Sequence, residues 1–285
     1  MIKILKYLSL ILIVYLCFYN RLSYSQVRIQ SENIYRLNSE DSHSNIITDI
    51  NIGLKTGYLL LTSPINYESK DWIYGGLAIA ATGLSILIDD DIRTNFKNVH
   101  SRFFDNVAEI GYRYGDAGYA IAISGTIYLG GKIFNAEEYS NTGRMLLESL
   151  LYAGIASTVL KTTIGRSRPY TEEGPYKFRG FQAKTETTSL PSGHTTVAFA
   201  MSSVLAERID NIYASILLYS LAASTVFQRI YDDKHWASDT ILGAVIGYTI
   251  GKAVVRLDNN QKLNDVSISF YYLTNGAGLN IRYKI

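Results

Sequence analysis

The chain has 285 residues, 47% of them hydrophobic and 18% charged, with a net charge of +2 and a mean hydropathy of +0.05. That is enough for one large domain or two small ones, and it is richer in apolar residues than a typical soluble enzyme but poorer than a typical transporter. The net charge decides between no partners, no basic run points to nucleic acid, and a soluble and a membrane-bound protein both remain open on composition.

The N-terminus has the layout of a secretory leader. Lys3 and Lys6 precede an apolar stretch from Leu8 to Phe18, and Ser23-Tyr24-Ser25 then offers small residues where a signal peptidase reads them. Cleavage after Ser25 is the expected processing; an uncleaved membrane anchor is the other reading. Cys17, the only cysteine, lies inside the apolar stretch, and Leu16 before it is too bulky for a lipoprotein signal. The processed chain is therefore expected to hold no disulfide, cysteine nucleophile or zinc–cysteine site. Residues 26–46 are polar without a clear period and read as an extended or disordered lead-in.

Six long segments read as helices: Trp72–Ile88, Asp116–Phe134, Thr142–Thr163, Ser192–Glu207, Ile212–Gln228 and His235–Val255. Each is long enough to cross a thin bilayer or to form the core of a buried bundle. Between the third and fourth, Arg166–Leu190 contains Gly174, Pro169 and Pro175 among polar residues and reads as a loop, of a length that is usually functional. In the tail, Val266, Ile268, Phe270 and Tyr272 alternate with more polar neighbours. After the turn signal Asn275-Gly276, Leu279, Ile281 and Tyr283 do the same, predicting a β-hairpin. Because a lone hairpin is marginal in water, it is expected to pair with a strand within Ile46–Leu61. The expected architecture is all-α, a six-helix bundle with a small C-terminal hairpin. Its parts are a leader over 1–25, an extension over 26–71, the bundle over 72–256 and the tail over 257–285.

Three motifs bracket these helices: Lys161 with Arg168-Pro169 seven residues on; Pro191-Ser192-Gly193-His194; and Arg229, His235 and Asp239. Each is weak alone, but their order and spacing are specific together. Lys161 and Arg168 are two helical turns apart and share a face if the helix runs that far, with Pro169 ending it. Pro191 is expected to open the next helix with Ser192, Gly193 and His194 in its first turn. Free backbone N–H groups and the positive dipole end there favour an anion, and glycine lets phosphate approach the backbone. Arg168, Arg229 and Lys161 supply charge-assisted contacts to phosphate oxygens. His235 and Asp239, four apart on one helix, let the carboxylate hold the imidazole, the arrangement covalent catalysis needs.

These motifs resemble those of the type 2 phosphatidic acid phosphatase superfamily, which also includes bacterial nonspecific acid phosphatases and vanadium haloperoxidases; the resemblance covers about Trp72 to Val255. It implies that His235 attacks phosphorus to give a phosphohistidine, Asp239 orients it, and His194 protonates the leaving oxygen. It also implies that Lys161, Arg168, Ser192, Gly193 and Arg229 hold the phosphate, with no metal and no cofactor. Gln228 stands where the family usually has serine; it can still donate a hydrogen bond. Below the catalytic pair, Gly243, Gly247 and Gly251 continue the same stripe and predict close approach by another helix.

Other polar residues read more plainly. Arg166 and Arg179 are candidate extra phosphate or head-group contacts. Asp89-Asp90-Asp91 reads as a solvated helix end rather than a metal site, Asp232-Asp233-Lys234 as a solvated loop near His235, and His43 and His100 as surface residues. The leading functional expectation is a membrane-integral phosphatase of the bacterial envelope acting on a lipid-linked phosphate. A soluble periplasmic acid phosphatase, a vanadate-dependent haloperoxidase and a non-enzymatic scaffold are the alternatives. Six crossings beginning at Trp72, with residues 26–71 outside, would leave the catalytic loops in the cytoplasm, whereas the family's sites face outward. The outward-facing site is preferred over the count of spans.

Overall fold

The computed structural model describes residues 46–97, 99, 101–259, 266–273 and 276–283. The leader, Cys17, the polar stretch up to residue 45, His43 and His100 lie outside the described residues.

Nine α-helices occur among the described residues: α1 (Ile46–Thr62), α2 (Ser69–Ile86), α3 (Asp89–Lys97), α4 (Arg102–Gly115), α5 (Ala117–Ile133), α6 (Glu137–Ile164), α7 (Gly193–Ile209), α8 (Ile212–Tyr231) and α9 (Ala237–Asn259). Two strands, β1 (Val266–Leu273) and β2 (Gly276–Tyr283), pair antiparallel with Val266 opposite Tyr283. They form a two-stranded sheet. The strand expected within Ile46–Leu61 is instead part of α1, where Thr56 bonds back to the carbonyl of Ile52 at 3.1 Å and Tyr152 of α6 donates to the carbonyl of Gly53 at 2.5 Å.

Three helices, α1, α3 and α4, lie beyond the six expected. The Glu68 side chain accepts from the N3 backbone N–H while its own N–H donates to Asp71 at 2.9 Å, a capping box that starts α2 ahead of Trp72. The bend of 56° between α2 and α3 splits off a helix that begins with three aspartates, so apolar periodicity does not reveal it. Ser101 caps α4, whose buried stripe is made of the small residues Ala108, Gly111 and Gly115. Asp116 and Asn211 cap α5 and α8 by accepting from backbone N–H groups.

The core gathers Met145, Leu146, Leu150 and Ala153 of α6 with Ala200, Met201 and Val204 of α7, Val254 and Val255 of α9, and Ala120 of α5. The α7–α9 seam is the closest. A Cβ added at Gly243, Gly247 or Gly251 would fall 2.6, 2.2 and 2.7 Å from the carbonyl oxygens of Ser192, Thr196 and Ala200. Both helices thus touch backbone to backbone at a spacing of four residues, which fixes the start of α9 against the start of α7. Outward, α2 exposes Trp72, Ile73, Leu77, Ile79 and Leu84, and α6 exposes Leu151, Ile155 and Val159. Among the described residues α9 is long and apolar enough to cross a membrane, and α2 with α3 passes the same test only as one bent pair.

Candidate active site

Helix α6 carries Lys161 toward the loop and stops at Ile164, where Gly165 takes a left-handed conformation (φ 64°). The helix therefore does not run on to Arg168, and Pro169 is not what ends it. The loop itself completes the terminus: the backbone N–H groups of Gly180, Phe181 and Gln182 donate to the carbonyls of Ile164, Thr163 and Thr162 at 3.1, 3.2 and 2.8 Å. That closure turns a long polar segment into a fixed wall. Within it Arg168 donates through Nε to the carbonyl of Thr185 at 2.8 Å and through Nη1 to that of Lys234 at 3.4 Å.

Across the pocket, Ser192 is the N-cap of α7 and Gly193 its first helical residue, with Pro191 just ahead of the cap. The N–H of Ser192 donates to the carbonyl of Asp239 at 2.8 Å, tying the second motif to the third. Lys161 lies beside this turn: a Cβ at Gly193 would be 3.6 Å from its Cε. Its ammonium donates to the carbonyls of Thr188 and Ser189 at 3.0 and 3.3 Å, leaving one N–H of three for another acceptor.

His235 precedes α9 rather than belonging to it, while Asp239 is in the first turn. The imidazole Nδ1 is 3.4 Å from Asp239 Oδ2, and the same oxygen accepts from Ser189 Oγ at 2.5 Å and from the N–H of Trp236 at 2.9 Å. Ser189 Oγ is also 3.4 Å from Nδ1. Sequence reading missed Ser189; its place two residues before Pro191 was the available signal. The backbone N–H of His235 donates to the carbonyl of Arg229 at 3.0 Å, which holds the loop under the nucleophile candidate.

Two buried nitrogens in this pocket, His194 Nε2 and Arg229 Nε, have no hydrogen-bond partner among the described residues. Tyr112 of α4 lies against the His194 ring, centroids 5.7 Å apart. Burial, followed by the positive charge of Arg229, pushes the His194 imidazole down to about 4, with Arg168 and Lys161 adding to the effect. Burial also drives His235 well below its ordinary value; Asp239 opposes that shift, and Lys161 and Arg168 reinforce it. Arg168 is lowered chiefly by burial. The pocket therefore concentrates cations with spare donors around two neutral imidazoles, an arrangement that an oxyanion would relieve.

Three expectations need correction. Arg166 is not a phosphate contact: it is fully buried and binds Asp89 and Asp239. Asp89 is not solvated, although Asp90 and Asp91 are; packing under α9 removes it from water. In Asp232-Asp233-Lys234 the outer two are exposed as expected, although Asp232 accepts from Gln228 Nε2 at 2.5 Å, but Asp233 is half-buried and pairs with Arg93 at 2.7 Å. Arg179 pairs with Glu173 at 2.5 Å, its side chain partly exposed. Gln228 also accepts from Arg229 Nη1 at 3.3 Å, so it bridges that guanidinium to Asp232.

Residues 143–263 match the family model described as the PAP2 superfamily. Over those residues the chain is similar to the PAP2 superfamily. The match begins at residue 143, later than Trp72. A lipid A 1-phosphatase of Porphyromonas gingivalis is 27% identical over 183 residues, 61% of this chain and 36% of that protein. One from Rhizobium etli is 25% identical over 147 residues, 47% of this chain and 62% of that protein. The chain thus spans less than two thirds of the length of these relatives. Among solved structures, a transmembrane PAP2-type phosphatidylglycerolphosphate phosphatase from Bacillus subtilis aligns with 73% of this chain and 96% of its own, at 16% identity and a TM-score of 0.49.

Proposed function

We propose that this protein is an envelope lipid phosphatase that removes a phosphate group through a phosphohistidine on His235. The observation that carries the reading is the pair of buried, unpartnered nitrogens, His194 Nε2 and Arg229 Nε, in a pocket that Lys161 and Arg168 also face. In the proposed reaction the Nε2 lone pair of His235 attacks phosphorus while Nδ1–H donates to Asp239. The bond from phosphorus to the lipid oxygen breaks, and protonated His194 gives that oxygen its proton. A water then attacks phosphorus, His194 takes the water's proton, the P–N bond breaks with its electron pair returning to His235 Nε2, and inorganic phosphate leaves. A bound phosphate dianion would raise His194 toward the protonated state this step requires, because it offsets the cations that depress it. Lys161, Arg168, Arg229, the Ser192 hydroxyl and the N–H of Gly193 stabilise the charge on the equatorial oxygens.

The substrate class follows from the relatives' names and the apolar exterior: a phosphate on a lipid anchor, with the 1-phosphate of lipid A as the first candidate. Membrane attachment through α9 and the bent α2–α3 pair, with the site facing the periplasm and the leader removed, is part of the same proposal.

The test is phosphate release by the full chain in detergent micelles from lipid A bisphosphate, phosphatidylglycerol phosphate and phosphatidic acid, with and without EDTA. EDTA-insensitive release that falls at least about 1,000-fold in His235→Ala is expected, the scale of losing a covalent nucleophile. Turnover that survives His235→Ala would refute the mechanism.

A further inference from the structure

A buried charged chain lies behind the proposed nucleophile and plays no part in holding phosphate. Arg166 Nη1 donates to Asp239 Oδ1 at 2.7 Å and to Ser238 Oγ at 2.6 Å; Nη2 donates to Asp89 Oδ2 at 2.8 Å. Nε and Nη2 both donate to the carbonyl of Pro175, at 3.0 and 2.7 Å. These contacts employ all five N–H groups of the guanidinium, which also lies 5.5 Å from the ring centroids of Phe178 and Trp236. Asp89 is equally committed: Oδ1 accepts from the N–H of Ser238 at 2.9 Å, and Oδ2 accepts from Ser238 Oγ at 2.5 Å as well as from Arg166. The side chains of Asp89, Arg166 and Asp239 are all fully buried.

We infer that Asp89 and Arg166 are positioning residues that form a buried relay, Asp89–Arg166–Asp239, which sets how strongly Asp239 draws the Nδ1 proton of His235 and so how basic the attacking nitrogen is. This rests on the phosphatase reading above. The relay carries one positive and two negative charges, a net charge of −1 beneath the imidazole. Without Asp89, Arg166 draws harder on Asp239 and leaves its carboxylate a poorer acceptor. Without Arg166, both carboxylates act on the imidazole unopposed. A plain structural pin has no such sign.

The other charged groups that act on His235 are Lys161 from α6 and Arg168 from the loop; the neutral His194 of α7 and the charged Arg229 of α8 lie beside the same cations. All remain in place in the variants that separate the two roles. Asp89→Asn keeps the shape and most hydrogen bonds while removing one negative charge; Arg166→Gln removes the positive charge; the double variant restores the net charge of −1.

The test follows kcat/KM against pH for phosphate release from lipid A bisphosphate in micelles, together with the titration of His235 in 15N-histidine-labelled protein, its signal assigned with His235→Ala. The acid limb and the titration should move down in Asp89→Asn and up in Arg166→Gln. Each shift should be on the order of one pH unit, the scale of a unit charge several ångströms away at an effective dielectric of about 20. The double variant should return close to the parent. Shifts in the same direction, or activity losses with no shift, would overturn the relay. If Arg166→Gln does not fold, the sign of the Asp89→Asn shift decides alone. The histidine titration needs no turnover, so an inactive parent chain would sink the phosphatase reading while the relay is still judged on its own.

Discussion

Two charged clusters meet at the start of α9, and they differ in how completely their polar atoms are used. In the inner cluster of Asp89, Arg166 and Asp239, each charged group has its partners inside the protein. In the outer cluster of Lys161, Arg168, His194 and Arg229, cations gather with donors to spare, and two buried nitrogens have no hydrogen-bond partner among the described residues. The inner cluster resembles a finished part of the fold, the outer one a fold awaiting an anion. The lesson is that burial of charge alone does not mark a binding site. Unused hydrogen-bonding capacity does.

The sharpest way to break this contrast is to remove one member from each cluster. Asp89→Ala takes one of its two buried carboxylate partners from Arg166, and a loss of about 3–5 kcal/mol in unfolding free energy in detergent is expected. Arg229→Ala should instead leave stability unchanged or raise it, because it removes repulsion among the cations, while kcat/KM falls about 100-fold or more. Orthovanadate, a phosphate mimic, should raise the melting temperature of the parent and of Asp89→Asn but not of Arg229→Ala, since only ligand bound to the native state stabilises it. An Arg229→Ala protein that unfolds as readily as Asp89→Ala would erase the distinction between the clusters.

A smaller effect probes the seam that joins them. Gly247→Ala places a Cβ 2.2 Å from the carbonyl of Thr196, so α7 and α9 must separate. The expected cost is about 1–3 kcal/mol, accompanied by loss of activity because Ser192 and Asp239 are tied across this seam. A variant with parental stability and turnover would show that the close approach is not what holds the motifs together.

The sequence exposed the outer cluster far better than the inner one, and the reason is physical. His194, His235, Lys161, Arg168 and Arg229 stand in motifs whose spacing suits one chemistry, and the structure places them around one pocket. The glycine stripe on α9 was legible because a four-residue period of missing Cβ atoms has few other uses. Asp89 was not: an aspartate in a run of three looks solvated, and its burial depends on partners 77 and 149 positions away. Arg166 looked like a phosphate contact because a sequence cannot show that all its N–H groups are occupied. Helices α3 and α4 were missed for a related reason: α3 buries the charged Asp89 and Arg93 beside Ile92 and Phe96, and α4 packs through the small residues Ala108, Gly111 and Gly115.

The smallest expected effect concerns a tie outside both clusters. Arg93 of α3 donates to Glu172 at 3.0 and 2.7 Å and to Asp233 at 2.7 Å through Nε and again through Nη2, so it links the loop that holds Arg168 to the loop that holds His235. Glu172 is largely exposed, and hydrogen bonds from Arg93 and then Lys97 hold its carboxyl down to about 2. A depressed carboxylate contributes stability above its ordinary value near 4.5, and that contribution is lost as pH falls through about 2. The difference in melting temperature between the parent and Glu172→Gln should therefore be constant at neutral pH and shrink on acidification below about 4.5, and it should be reduced by salt at every pH where it exists. Asp233 keeps its own bonds to Arg93 in the variant, so the loops remain joined and kcat should change little. A large loss of turnover in Glu172→Gln would mean that the exposed partner, rather than the buried Arg166, governs the position of His235.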